Sequence, residues 1–431
     1  MIAIGTSSLI FAIALGFIFT EKIHRTIVGI AGAVAMVGAG LLLGFYGEEE
    51  AVAAIDFDTL ALLFGMMVLV ALLQPTGFFQ YLAIMAGRWS KGSPVRLFVL
   101  LGTLTTVLSM FLDNVTTVVL IAPVTILITE ILGLSPIPFL ISEALLSNTG
   151  GVGTLVGDPP NVLIGSAVGL TFNDFLVHSL PIIIVVWLVS LGVLVWLSRA
   201  DLGSNPEMAK RINNLDPAKA LDQPHTARQI LIVLGTAVLL FFIHHLLGIS
   251  PAFVALGAAA AALLIVRPKD MAKTLEHVEW PVLIFFAALF VMVGGVEAAG
   301  VIDQVAELLV GLAKDIPPRL FGVIMIWVVA LLSAVVDNIP ITVALIPILQ
   351  NLGRSGIDVT PLWWGLVFGA GLGGNGTIIG STANVVVVSL SEKTHHPITA
   401  AFWLRRGIPV MLVSCTVVSL LYALFFPLFT R

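Results

Sequence analysis

A motif that no lipid-facing helix can hold occurs twice in this chain. Residues 112–166 open with LDNVTTVVLIAPVTI and close with SNTGGVGTLVGDPPNVLIGSA. A shift of 223 or 224 positions lays Asp113-Asn114 on Asp337-Asn338, Pro123 on Pro347 and Gly150-Gly151 on Gly373-Gly374. The same shift lays Gly153-Thr154 on Gly376-Thr377, Gly157 on Gly380 and Asn161 on Asn384. Glycines and prolines break helices and free backbone polar groups. In hydrocarbon such groups persist only where protein buries them or a wet cavity is lined by them. The surroundings are hydrocarbon-like: 58% of the 431 residues are hydrophobic and 10% are charged, against about 25% charged in soluble proteins. Each copy therefore reads as the wall of a pathway.

Apolar runs of bilayer-spanning length fall at 2–20, 26–45, 58–75, 138–170 (broken), 178–198, 228–247, 250–266, 280–298, 361–391 (broken) and 406–429. Regions 95–132 and 319–352 each carry Asp-Asn in the middle and read as hairpins that enter and leave from one side. The expected fold is an all-α polytopic membrane protein. It has two inverted repeats, ten transmembrane spans, two re-entrant hairpins and two discontinuous helices. The first repeat is 1–198, with hairpin 95–132 and broken helix 138–170. The charged stretch 199–227 is a cytoplasmic linker. The second repeat is 228–431, with hairpin 319–352 and broken helix 361–391. An odd number of spans per half inverts the second copy, a pattern of secondary transporters that bind solute at the repeat interface. Phe78–Trp89 and Val301–Ala313 read as amphipathic arms in matching positions.

Charge supports this topology. With the N-terminus outside, sixteen of the 20 basic residues fall in inner loops, Arg25 among them, as the positive-inside rule expects. The expectation is a multi-pass protein of the cell (inner) membrane with both termini outside. The first apolar run lacks a basic n-region and reads as a retained span. The lone Cys415 excludes a disulfide framework and a cysteine-rich metal site. No GxxxxGK[ST] appears, which disfavours ATP-driven pumping by this chain alone. No basic cluster suggests nucleic acid, and no catalytic or metal-ligating constellation is read.

Three acids, Asp113, Asp158 and Asp337, lie at membrane depth, where each costs about 2.5–3.5 kcal/mol. They serve either as carriers of protons or cations or as caps for half-helix N-termini. Asn114, Asn338, Asn161 and Asn384 suit a polar ligand, or tie the unwound ends. Asn148, Thr149 and Asn375 have no polar mates in the repeat, so an asymmetric ligand can be read there. Gly151, at the first break, Ser381, the mate of Asp158, and the hydroxyls of Thr116, Thr117 and Thr377 complete the candidate site. No Lys or Arg falls within a tip or break. A permanently anionic substrate would thus meet three acids without a fixed counter-charge. Glu143 lies in an apolar run as a candidate supporting acid.

These motifs, with VVDNIPITVALIPIL and GLGGNGTIIGSTANVVVVS, resemble the ion transporter superfamily over nearly the whole chain. The resemblance is greatest to the branch of arsenite permeases, NhaD-type sodium/proton antiporters and the P protein, and within it to an ArsB-type arsenite efflux permease. It implies a scaffold with a mobile transport domain, elevator-type alternating access and a homodimer. Dicarboxylate members carry Ser-Asn-Thr at the tips, where this chain has Asp113-Asn114-Val115 and Asp337-Asn338-Ile339. The functional expectation is export of arsenite or antimonite in exchange for protons, without a cofactor. Alternatives are a sodium/proton antiporter, with Na+ as coupling ion, and a sodium-coupled carboxylate or other anion carrier. A soluble ATPase partner remains open, and a non-transporting membrane anchor fits least.

Overall fold

The computed structural model describes residues 1–20, 23–203, 216–305, 316–392, 394 and 397–430. Every regular element among them is helical. The first half comprises α1 (Ile2–Thr20), α2 (Arg25–Leu43), α3 (Phe57–Leu73), α4 (Phe78–Trp89), α5 (Pro94–Ser109), α6 (Asn114–Leu132), α7 (Ile137–Gly151), α8 (Pro159–Val168) and α9 (Phe172–Ser198). The second comprises α10 (Pro224–Leu247), α11 (Pro251–Val266), α12 (Trp280–Ala298), α13 (Pro318–Val335), α14 (Asn338–Arg354), α15 (Thr360–Gly373), α16 (Thr382–Ser391) and α17 (Ala400–Leu424). Most of the second expected arm, 301–313, and the middle of the linker lie outside the described residues.

Eight helices are long and apolar enough to cross a membrane, and α1, α5, α11 and α16 are shorter apolar helices. The expected count of ten is distributed differently. α6 and α13, both hairpin arms, have spanning length, whereas the broken helices divide into pieces that do not. Both hairpins turn where expected, between α5 and α6 and between α13 and α14. Both breaks form at the glycines, Val152–Asp158 and Gly374–Ser381.

Packing repeats with the sequence. α2 lies on α12, and α11 lies on α3, each pair joining one half to the other. α5 packs on α7, and α13 on α15. The half-helix of each break crosses to the other half's hairpin: α8 against α14, α16 against α6. α7 and α15 are buried on every side from Pro138 to Gly151 and from Pro361 to Gly373, as helices at the centre of a core must be. α4 buries Phe79, Ala83, Ala86 and Gly87 along one face, the stripe expected of an amphipathic arm.

The close approach of α5 to α7 depends on glycine. A Cβ on Gly150 would lie 2.5 Å from the carbonyl oxygen of Thr106, and one on its mate Gly373 would strike the backbone of Ala330. Cross-bonds of matching kind tie hairpin to broken helix: Ser109 Oγ donates to the carbonyl of Ser147 and Ser333 Oγ to that of Ala370, each at 2.7 Å. Thr154 Oγ1 donates to the carbonyl of Met110, as Thr377 Oγ1 does to that of Ala334. The tips are thereby held against the breaks.

Candidate functional site

Each hairpin tip starts a helix with an aspartate cap. Asp113 Oδ1 accepts from the Thr116 backbone N–H at 2.8 Å, and Oδ2 from Thr116 Oγ1 at 2.5 Å. Asp337 Oδ1 accepts from the Ile339 N–H at 3.1 Å. Such a cap contributes about 1 kcal/mol. Asp158 and Ser381 occupy the same position on α8 and α16, yet neither side chain bonds its own helix. Asp158 instead reaches between the tips. It is 1% exposed and accepts from Asn338 Nδ2 at 3.2 and 3.4 Å and from Asn114 Nδ2 at 3.4 Å. The capping role therefore belongs to Asp113 and Asp337, while Asp158 caps no helix and joins the two tips.

Asn148 is the second convergence point. Its Oδ1 accepts from Asn114 Nδ2 at 3.0 Å and Ser381 Oγ at 2.9 Å. Its Nδ2 donates to Asn375 Oδ1 at 2.9 Å and Asn384 Oδ1 at 3.0 Å. All four of its bonding positions are used, and they draw in one tip and the second break. Asn375 Nδ2 extends the chain to Thr149 Oγ1 at 3.4 Å.

Other expected site residues serve the backbone. Asn161 Nδ2 donates to the carbonyls of Gly151 and Thr154 at 2.9 and 2.7 Å. Asn384 Nδ2 does the same for Gly374 and Thr377 at 2.8 and 2.9 Å. Thr149 Oγ1 bonds back to Leu145 at 2.8 Å, the common threonine habit in helices. A Cβ on Gly151 would meet the carbonyl oxygen of Gly157 at 2.6 Å, so this glycine permits the break to fold back on itself. Thr117 Oγ1 is buried without a partner among the described residues.

Three residues at the site were not expected there. Arg25 opens α2 rather than lying in a loop. Its Nη1 is 3.0 Å from Asp337 Oδ2 and also donates to Thr382 Oγ1. The guanidinium lies 5.3 Å from the Phe285 ring centroid, a contact that helps hold the cation in place. Thr382, first residue of α16, donates to Asp337 Oδ2 at 2.8 Å. Glu279 stands at the N-cap of α12 without capping it, and its Oε1 lies 3.3 Å from Thr116 Oγ1. Its repeat mate Asp56 does cap its own helix, accepting from the Thr59 N–H at 3.2 Å. The expectation that no fixed cation faces the acids is thus corrected. The reason is that Arg25 belongs to a different element, distant in sequence from both tips. The helix that matches α2, α11, starts at Ser250-Pro251 and carries no charge.

Two cavities meet at the Arg25 group. An inner one, lined by Asp113, Asn114, Asp158, Glu279, Asn338 and Ser381 among others, has room for about one water. An outer one of about 270 Å³ is lined by Ile18, Ile23, His24 and Val385 among others. Arg25 and Thr382 line both, so the Arg25–Asp337–Thr382 group is the partition between them. Oδ1 of Asn114 and of Asn338 accepts no hydrogen bond from the described residues. The inner cavity is consequently rich in acceptors: four carboxylates lie in or beside it, against one guanidinium.

Comparison with known proteins agrees with this architecture. The chain is 37% identical over 415 residues to an uncharacterized transporter of Mycobacterium tuberculosis, covering 94% of this chain and 95% of that one. It is 37% identical to a 46 kDa membrane protein of Mycobacterium leprae over 416 residues, covering 94% and 95%. Against the human P protein it is 36% identical over 93% of its own length, and it spans 57% of that protein. The crystal structure of the Alcanivorax borkumensis YdaH transporter, described as having an unusual topology, superposes with a TM-score of 0.61 at 15% identity, covering 94% of this chain and 98% of that one. The profile of the family described as CitMHS, citrate transporter, matches residues 15–369. A multi-pass helical protein with these relatives is a membrane transporter, not an enzyme, and the chain belongs to the CitMHS citrate transporter family.

Proposed function

We propose that the chain is a secondary active transporter that exchanges protons, carried on the acid cluster, for a small hydroxyl-bearing solute, with arsenous and antimonous acid as the candidates. One observation carries this reading: acceptor oxygens outnumber the donors around the inner cavity, whose donors include Arg25, Ser381 and Thr382. Asp113, Asp158 and Glu279 supply carboxylate oxygens, and Asn114 and Asn338 supply unpaired amide oxygens. A neutral trihydroxide brings three donors to such a wall, and leaves none of its own charge to be offset. Na+ also suits an oxygen-lined site, and the same cluster then works as a sodium/proton antiporter.

A second reading, a carboxylate carrier, is favoured by Arg25 and by the description of the family as citrate transporters. Arginine grips carboxylates in a bidentate fork. With four acids close by, a free tricarboxylate is repelled unless cations accompany it.

Arsenite, sodium and citrate counterflow in vesicles, side by side, tests these readings. Exchange of arsenite that the Asp158→Asn variant loses is the expected result. Citrate exchange alone selects the carboxylate reading, and sodium-dependent proton movement without metalloid selects the antiporter.

The movement we propose is of elevator type. α5–α8 and α13–α16 form the moving body, and α1–α3 with α10–α12 form the scaffold. The reciprocal packing of α2 on α12 and α11 on α3 supports it, as does the repeat at 223–224 positions, which we read as inverted. The basic residues of the loops support a cell (inner) membrane setting with both termini outside. A homodimer accords with the scaffold's exposed apolar helices. The chain needs no soluble ATPase for this exchange.

A further inference from the structure

One buried acid lies outside the site just described. Glu143, in the middle of α7, is 0% exposed. Its Oε1 accepts from Thr125 Oγ1 at 2.5 Å, and its Oε2 has no partner among the described residues. The helices packed on α7 are α5, α6, α9, α15, α16 and α17. Their ionisable side chains are Arg96, Glu130, Asp174, His178, Arg405, Arg406, Cys415 and Tyr422, and none is paired with Glu143.

The repeat shows that the fold does not require a polar pair here. The mates of Glu143 and Thr125 are Leu366 and Leu349, both buried. An acid at such a depth is costly, and a leucine pair fills the equivalent place in the second half. Position matters too. Glu143 is five residues from Asn148 and six from the start of α7 at Ile137. At about 1.5 Å per residue it sits midway between the cavity and the 133–136 loop. Thr125 and Thr129 continue from it along α6 toward that loop, Thr129 Oγ1 bonding the Thr125 carbonyl at 2.7 Å.

We propose that Glu143 is a proton-binding station between the acid cavity and the 133–136 loop. It rests on the proton-coupled reading given above. Oε2 takes the proton as a carboxylic acid, while Oε1 keeps the Thr125 bond; release to water at the loop reverses the step. The first copy alone has this station, so protons leave through the α6–α7 side.

Infrared pH titration of the full chain in lipid tests the station without any solute. A protonated-carboxyl band should grow as pH falls, vanish in Glu143→Gln and persist in Asp158→Asn. Vesicle assays with arsenite as the probe test its use. Efflux driven by a pH gradient should fall about ten-fold in Glu143→Gln, while counterflow, which needs no net proton release, stays within about two-fold. The double variant Glu143→Leu with Thr125→Leu copies the Leu366–Leu349 pair, and should fold and behave like Glu143→Gln. A band that survives Glu143→Gln overturns the station. So does loss of counterflow and efflux together in a folded double variant. Asp158→Asn that leaves gradient-driven efflux intact defeats the site reading instead, and the Glu143 band then stands or falls alone.

Discussion

At the residue scale, Asn148 has most to lose. Truncation to alanine strands Oδ1 of Asn375 and of Asn384 and the Ser381 hydroxyl, all buried, and leaves Asn114 Nδ2 only its 3.4 Å bond to Asp158. Each orphaned group costs about 1–3 kcal/mol, so Asn148→Ala should destabilise the protein by more than about 3 kcal/mol; thermal unfolding in detergent measures it. Arg25→Gln leaves Asp337 beside a neutral amide, a loss of about 3 kcal/mol by analogy with broken buried pairs. Transport should fall with it. Arg25→Lys keeps the charge but loses the planar guanidinium whose Nη1 serves Asp337 and Thr382 together, so uptake assays should place it between Gln and the parent. The sequence marked Asp113, Asp158 and Asp337 because acids stand out in apolar runs. It did not mark Arg25 or Glu279, because each sits at a span end where charge is ordinary. Only contact with a distant tip distinguishes them. Glu279 left one trace: its mate Asp56 has a threonine three residues on to cap, and Glu279 does not.

At the scale of elements, hairpins and breaks were legible from punctuation alone. Asp-Asn marks the start of α6 and of α14, and the glycines mark both breaks, since the chain can unwind only there. What spacing could not tell was which aspartates cap and which face the cavity, since that depends on side-chain direction after folding. The glycines also set helix distance. Gly150→Ala should cost about 1–3 kcal/mol by overpacking α5 against α7, and Gly373→Ala the same between α13 and α15. Gly192→Ala, where a Cβ meets nothing, should be neutral. Chemical or thermal unfolding of the three variants separates packing from a general intolerance of change.

At the scale of the whole molecule, the repeat told how many pieces there are, and the structure tells how they interlock. The pairs α2–α12 and α3–α11 each draw one helix from either half, which no linear pattern reveals. Sidedness is testable with the lone Cys415, buried and replaceable. In a Cys415→Ala background, Asp222→Cys should react with an impermeant maleimide only from the cytoplasm, and Glu49→Cys only from outside. The opposite labelling would invert the topology.

The unmatched guanidinium has a wider consequence. A mechanism assembled from two opposed copies would rest with equal populations facing either side, and run without a preferred direction. Arg25 opens α2, whereas uncharged Pro251 opens the matching helix α11, so the pair with Asp337 has no equivalent in the second copy. A bias of about 1.4 kcal/mol holds ten molecules in one orientation for each in the other. A preferred orientation at rest is therefore the expected outcome of Arg25 acting with the other unmatched polar residues.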